Sequence, residues 1–133
     1  MTHQIELRVY YEDTDLAGIV YYANYLKFIE RGRTEWVRSL GVDQAALKRE
    51  EGIVFAVRRV EADYLRPARF DDLLVVKTRL LALGGARIEV EQTVERDGAI
   101  LFTARVVLVC LSEAGVAARI PAGLRSRLAP LHH

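Results

Sequence analysis

Residues 9–41 read VYYEDTDLAGIVYYANYLKFIERGRTEWVRSLG, and the pattern changes character partway through. EDTDLAG, 12–18, is rich in carboxylates and closes on Gly18, the composition of a loop. From about residue 24 to residue 40 the period turns helical, with Tyr25, Ile29, Trp36 and Leu40 on one face. Gly32 lies close to that face. A glycine inside a helix costs roughly 1 kcal/mol against alanine. Either a sheet wraps the helix and approaches closely there, or the glycine is simply tolerated. Gly41 suits a helix end, and DQAALKREEG, 43–52, reads as a short second helix.

On either side the pattern is that of strands. QIELRVYY, 4–11, alternates as a strand does. Beyond Gly52 a strand is expected over 53–65, interrupted by Pro67 and the PARFDD segment. The next, 73–83, puts Leu74, Val76, Thr78 and Leu80 on one face, and Gly84-Gly85 makes a turn. Over 87–96, Ile88, Val90, Gln92 and Val94 alternate with Arg87, Glu89, Glu91, Thr93 and Glu95. Asp97-Gly98 is a strong hairpin signal, and 99–111 is apolar on both faces, as a central strand is. Residues 119–128 read as an edge strand and tail. The order is α+β with an antiparallel sheet. One long helix covers one face of such a sheet, so the other face or an edge needs a partner.

The bulk numbers exclude more than they assign. A length of 133 residues fits a single domain, 1–133. A hydrophobic share of 51% is too high for a disordered chain. Lys+Arg of 19 against Asp+Glu of 18 leaves a net charge of +1, which gives no reason to invoke nucleic acid or an anionic membrane. No signal-peptide pattern or bilayer-length apolar run is present, so a soluble, cytoplasmic protein is expected. The lone Cys110, in VVLVCLS, reads as an inert core thiol. Histidine occurs only at His3, His132 and His133, and the last two are assigned no role. A Ser-His-Asp or Cys-His constellation therefore has no internal histidine. Ser39, Ser112 and Ser126 do not sit in a GxSxG motif, and HExxH, CxxC, Walker A and GxGxxG are missing. No metal and no cofactor is expected; the chemistry falls to carboxylates, tyrosines and backbone amides.

The densest polar cluster lies where the loop enters the helix: Glu12, Asp13, Asp15 and Gly18, then Ile19 to Tyr25. Asp and Thr favour N-caps, and carboxylates favour the positive end of a helix. More carboxylates crowd the loop than a cap requires, and the apolar, aromatic run that follows is able to dry the site. A carboxylate beside an apolar wall is tuned as a base or nucleophile, and free amides at a helix start stabilise an oxyanion.

The segment 9–41 closely resembles the N-terminal signature of the hotdog-fold acyl-CoA thioesterases. It is most similar to the Tol–Pal-associated type and more distantly to 4-hydroxybenzoyl-CoA thioesterase. The likeness resumes at VFAVRRVEADYLRPARFDD, 54–72, and continues more loosely to VVLVCL. It implies a hotdog fold, one long helix wrapped by a curved sheet of about five strands. The implied activity is hydrolysis of acyl-CoA to free acid and coenzyme A. Asp15 falls on the catalytic aspartate, as general base or nucleophile, and the Tyr22 N–H on the donor that polarises the carbonyl. Gly18, Val20, Tyr21, Asn24 and Tyr25 fall around the substrate, while Asp13 resembles a cap or loop brace. Many Tol–Pal-type members carry histidine where this chain has Tyr22; a backbone donor survives that change. Among Arg58, Arg59, Arg66, Arg69, Lys77 and Arg87, Arg87 is the first candidate for a coenzyme A phosphate, because it follows the Gly84-Gly85 turn. The resemblance also implies a homodimer or homotetramer with sites across the interface. A hotdog hydratase or dehydratase, or a module that binds acyl thioesters or acyl carrier protein without turnover, are the competing readings.

Overall fold

The structure, a computed structural model, describes residues 2–132; His133 lies outside the described residues. The elements are β1 (Thr2–Arg8), a 3-10 turn (Tyr11–Asp13), α1 (Asn24–Ser39), α2 (Gln44–Glu51), β2 (Val54–Tyr64), β3 (Leu73–Leu83), β4 (Arg87–Arg96), β5 (Ala99–Leu111) and α3 (Ala122–Leu128). The five strands form one antiparallel sheet in the order β1-β3-β4-β5-β2. α1 lies against β1, β3 and β4, the hotdog arrangement that the sequence leads one to expect.

The inward faces are those the alternation assigns. Leu74, Val76, Thr78 and Leu80 of β3 are buried, as are Ile88, Val90, Gln92 and Val94 of β4. β5 buries Phe102, Ala104, Val106, Leu108 and Cys110 on that side; Leu101, at a bulge, joins the same core, and Val107 is buried as well. Asp97 and Gly98 join β4 to β5 with φ of 51° and 81°, both left-handed, as a primed hairpin turn requires.

Gly32 is the point of closest approach between helix and sheet. A Cβ there would stand 2.7 Å from Val76 Cγ1 and 3.3 Å from Gln92 Nε2. The sheet does wrap the helix closely at this glycine. Polar groups lock the approach: Gln92 Nε2 donates to the Ile29 carbonyl and to Thr78 Oγ1, each at 2.8 Å. Arg33 Nη1 donates to Gln92 Oε1 at 2.9 Å, and burial pushes the Arg33 pKa down. Gln92 and Thr78 are fully buried yet bonded, so they cost little and fix the helix rotation.

Two expectations are corrected. Residues 119–128 do not form an edge strand; Ala122–Leu128 is a helix. Ile120, Leu124 and Leu128 recur every fourth residue and are all buried, a helical spacing that arginines between them obscure. Arg127 donates to the Leu40 carbonyl at the end of α1 and Arg125 to the Gly84 carbonyl, so α3 seals that end of the core. β1 also ends at Arg8, earlier than its alternation suggests. Val9 is buried and donates to Asp72 at 2.9 Å, and the chain then turns through Tyr11–Asp13.

Between the C-terminal half of α1 and the inner side of β2 and β5 lies a cavity of about 200 Å³, lined by Trp36, Val37, Leu40, Phe55, Leu108 and Leu128 among others.

Replacing Gly32 with alanine should destabilise the fold. The new methyl meets a branched side chain held by β3, and overpacking costs about 1–3 kcal/mol, against a helix-propensity gain of roughly 1 kcal/mol. A net loss is expected in urea unfolding. Unchanged or greater stability would mean that Val76 moves aside freely.

Candidate active site

The loop that precedes α1 folds back on itself as a small hairpin. Thr14 bridges to Val20, Asp15 N–H donates to the Ile19 carbonyl at 2.9 Å, and Gly18 N–H donates to the Asp15 carbonyl at 3.0 Å. Gly18 has φ 78°, so the turn itself requires glycine there. The Asp15 side chain is fixed by the turn it starts, with Oδ1 accepting the Ala17 N–H at 2.9 Å. Among the described residues no partner lies within hydrogen-bond reach of Oδ2.

Asp13 braces this hairpin rather than facing outward. It is buried, its Oδ2 accepts the Tyr10 N–H at 2.7 Å, and its carbonyl accepts from Tyr21 N–H and Asn24 Nδ2, each at 2.9 Å. Neither loop aspartate caps α1. The N-cap position is Ala23, and no side chain bonds the first turn. Among the described residues, the Tyr22 and Ala23 N–H groups have no protein acceptor. An uncapped helix start with free amides thus lies beside the hairpin that carries Asp15, and such amides point at an anionic oxygen.

The other expected residues divide. Val20 and Tyr25 belong to the core. Val20 N–H donates to the Ala68 carbonyl at 2.8 Å, and the Tyr25 hydroxyl accepts the Ala68 N–H at 3.0 Å. The Tyr25 ring stacks on Phe102 with centroids 5.0 Å apart, and burial raises the Tyr25 pKa. Asn24 ties the helix start to Asp13, while Tyr21 and Tyr22 are surface rings with centroids 4.9 Å apart. Arg87 is not brought to Asp15 within one chain. It begins β4, at the end of the sheet opposite the Asp97-Gly98 turn, and its guanidinium meets Glu89 at 3.2 Å. Within one chain the run after the hairpin builds no apolar wall over the carboxylate: Asp15, Leu16 and Tyr22 are exposed.

Against known proteins, residues 17–102 match the model of the thioesterase superfamily. The chain belongs to that superfamily. The acyl-CoA thioesterase YbgC of Haemophilus influenzae is 44% identical over 105 residues, covering 79% of this chain and 77% of the relative. The acyl-CoA thioester hydrolase YbgC of Escherichia coli is 41% identical over 106 residues, covering 79% and 78%. The crystal structure of a probable thioesterase from Bartonella henselae superposes with a TM-score of 0.88 at 41% identity, covering 91% of this chain and 100% of that one.

For a thioesterase superfamily member, two groups around the site escape a reading of sequence alone. Tyr64, in β2, donates from its hydroxyl to the Tyr22 carbonyl at 3.0 Å. Asp72, in the PARFDD turn, accepts the Arg69 N–H at 2.8 Å and Arg96 Nη1 at 2.7 Å. That turn backs the hairpin through Ala68 and the Ile19–Arg69 bridge. Both contacts join segments far apart in sequence, and only the likeness of 54–72 hinted at them.

The Asp72–Arg96 pair predicts a pH dependence. Burial raises the Asp72 pKa, but the Arg69 N–H and the Arg96 guanidinium together outweigh burial and hold it below its ordinary value. The contribution is therefore full above the unfolded carboxyl's value of about 3.9, and is lost as pH falls through the lower folded value. Arg96→Met should unfold at lower denaturant than wild type near neutrality, with the gap narrowing below about pH 4. A gap that stays constant with pH would show that Arg96 acts by packing alone.

Proposed function

We propose that the protein hydrolyses acyl-CoA thioesters to the free acid and coenzyme A, with Asp15 as the catalytic carboxylate. The observation that carries this reading is the pairing, in one short segment, of a carboxylate with an oxygen that has no partner among the described residues and a helix start whose Tyr22 and Ala23 amides have no acceptor among them. The names of the relatives support the substrate class.

In this reading the thioester carbonyl accepts the Tyr22 N–H. As negative charge grows on that oxygen, the amide bonds it more strongly than it bonded the ground state. Asp15 then acts by one of two routes. As general base it takes a proton from water while the water oxygen bonds to the carbonyl carbon. The tetrahedral adduct collapses, the C–S bond breaks, and the proton passes to the departing thiolate. As nucleophile its own oxygen forms the bond, the thiolate leaves, and water cleaves the resulting anhydride. The apolar part of the acyl group extends over the inner side of β2, where Val60 and Val57 are left exposed beside α1. A cytoplasmic setting suits a coenzyme A substrate and a reduced thiol, Cys110.

The working unit in this reading is a homodimer or a pair of dimers. β2 ends the sheet with an open edge. Antiparallel pairing of two β2 edges centred on Val60 sets Arg59 of one copy opposite Glu61 of the other, twice over, as a self-complementary two-fold contact. Such a pairing covers exposed apolar side chains and lets the second copy supply the wall, and the phosphate contacts such as Arg87, that one chain leaves out. Light scattering at micromolar concentration should give at least twice the 15.0 kDa chain mass. A monodisperse monomer would overturn the assembly.

The catalytic assignment is tested with Asp15→Asn, which keeps the shape and removes the charge. On the best substrate of an acyl-CoA panel, followed by free-thiol release, turnover should fall by about 10²–10⁴. Asp13→Asn should lose far less turnover, and in proportion to lost thermal stability. A folded Asp15→Asn with wild-type turnover would refute the assignment, and an inactive Asp13→Asn beside it would move the role to the neighbouring aspartate.

A further inference from the structure

We infer that Tyr64 is a positioning residue for the reaction, one that aims and strengthens a second carbonyl donor, the Ala23 N–H. This rests on the thioesterase reading above. A trans peptide is planar, with its N–H pointing opposite to its C=O. Two consecutive peptide units carry the free amides, and each is pinned by its carbonyl. The Tyr21 carbonyl accepts the Asn24 N–H at 2.8 Å, which fixes the plane of the Tyr22 N–H from within the helix start. The Tyr22 carbonyl accepts the Tyr64 hydroxyl at 3.0 Å, which fixes the plane of the Ala23 N–H from across the sheet. A carbonyl only accepts, so the direction of this bond is not in question.

The donor is itself held. The Tyr64 ring packs edge-on against Tyr25, Phe102 and Tyr22, with centroids 5.5, 5.0 and 6.1 Å away. Tyr25 and Phe102 are core residues, so this exposed hydroxyl stands on a rigid base. Burial, and then Tyr22, raise the Tyr64 pKa, which keeps the hydroxyl protonated and donating across the working range. A hydrogen bond accepted by the carbonyl of an amide polarises the N–H of the same amide, by about 10–30% in bond strength. The effect matters most when the N–H meets a developing oxyanion rather than a ground-state carbonyl. Tyr64 should therefore act on turnover more than on binding.

Tyr64→Phe removes the hydroxyl and keeps the ring packing. With the homo-oligomer on its preferred acyl-CoA, kcat should fall about tenfold, KM should stay within about twofold, and the thermal midpoint should be retained. A second measurement separates positioning from structure. A substrate labelled with 13C at the thioester carbonyl is bound to slow Asp15→Asn, alone and combined with Tyr64→Phe, and the carbonyl stretch is compared. Loss of the polarised donor should move the stretch to higher frequency in the double variant. Unchanged kcat in folded Tyr64→Phe, or an unmoved stretch, overturns the inference. If wild type itself releases no thiol from any acyl-CoA, the underlying thioesterase reading fails instead, and the two failures are distinct.

Discussion

The close approach of α1 to β3 and β4 at Gly32 is the contact on which the rest of the structure depends. A helix that sits this near the sheet needs a residue without a side chain at the crossing, and Val76 and Gln92 occupy the space that a Cβ would need. Gln92 then reads the helix backbone directly through the Ile29 carbonyl. With rotation and height set there, the N-terminal end of α1 falls over Phe102 and Ala68, where Tyr25 stacks on one and accepts from the other. The free amides at Tyr22 and Ala23 are thus placed by packing more than a turn of helix away. A loop alone would not hold them so well, because its backbone has fewer fixed partners.

In the proposed site the two neighbouring aspartates divide the labour. Asp13 spends its carboxylate and its carbonyl on Tyr10, Tyr21 and Asn24, which makes the hairpin stiff. Asp15 keeps one oxygen free on that stiff support. Its charge stands in water in a single chain, which costs little for folding. In the proposed reaction, substrate and a neighbouring copy close over it, and the free energy of binding offsets the desolvation.

Much of this was legible in the sequence, for identifiable reasons. β3, β4 and β5 begin and end where alternation and the Asp97-Gly98 turn place them, because each strand buries one face and period two has no rival there. Gly32 marked a place where close approach was one of two readings, and the position of Val76 and Gln92 decides for it. α3 is not legible because only Ile120, Leu124 and Leu128 carry its period, and period two fits so short and arginine-rich a stretch about as well. At the site, Asp15 and Tyr22 stand seven residues apart, so local sequence likeness reached them. Tyr64 and Arg96 act across long separations, and no local pattern encodes which carbonyl a tyrosine will meet. Strand direction carries Arg87 to the end of the sheet opposite the Asp97-Gly98 turn, so a local pattern alone does not relate it to Asp15.

The central claim is that one short segment presents both the carboxylate and the amide to a thioester carbonyl. The most direct test is a crystal structure of the protein with an acyl-CoA analogue in which methylene replaces the thioester sulfur. The analogue's carbonyl oxygen should lie about 2.7–3.1 Å from the Tyr22 amide nitrogen, with an Asp15 carboxylate oxygen, or a water it holds, about 3–3.5 Å from the carbonyl carbon. A carbonyl seated instead in the cavity beside Trp36 and Leu128, out of reach of Asp15, would contradict it.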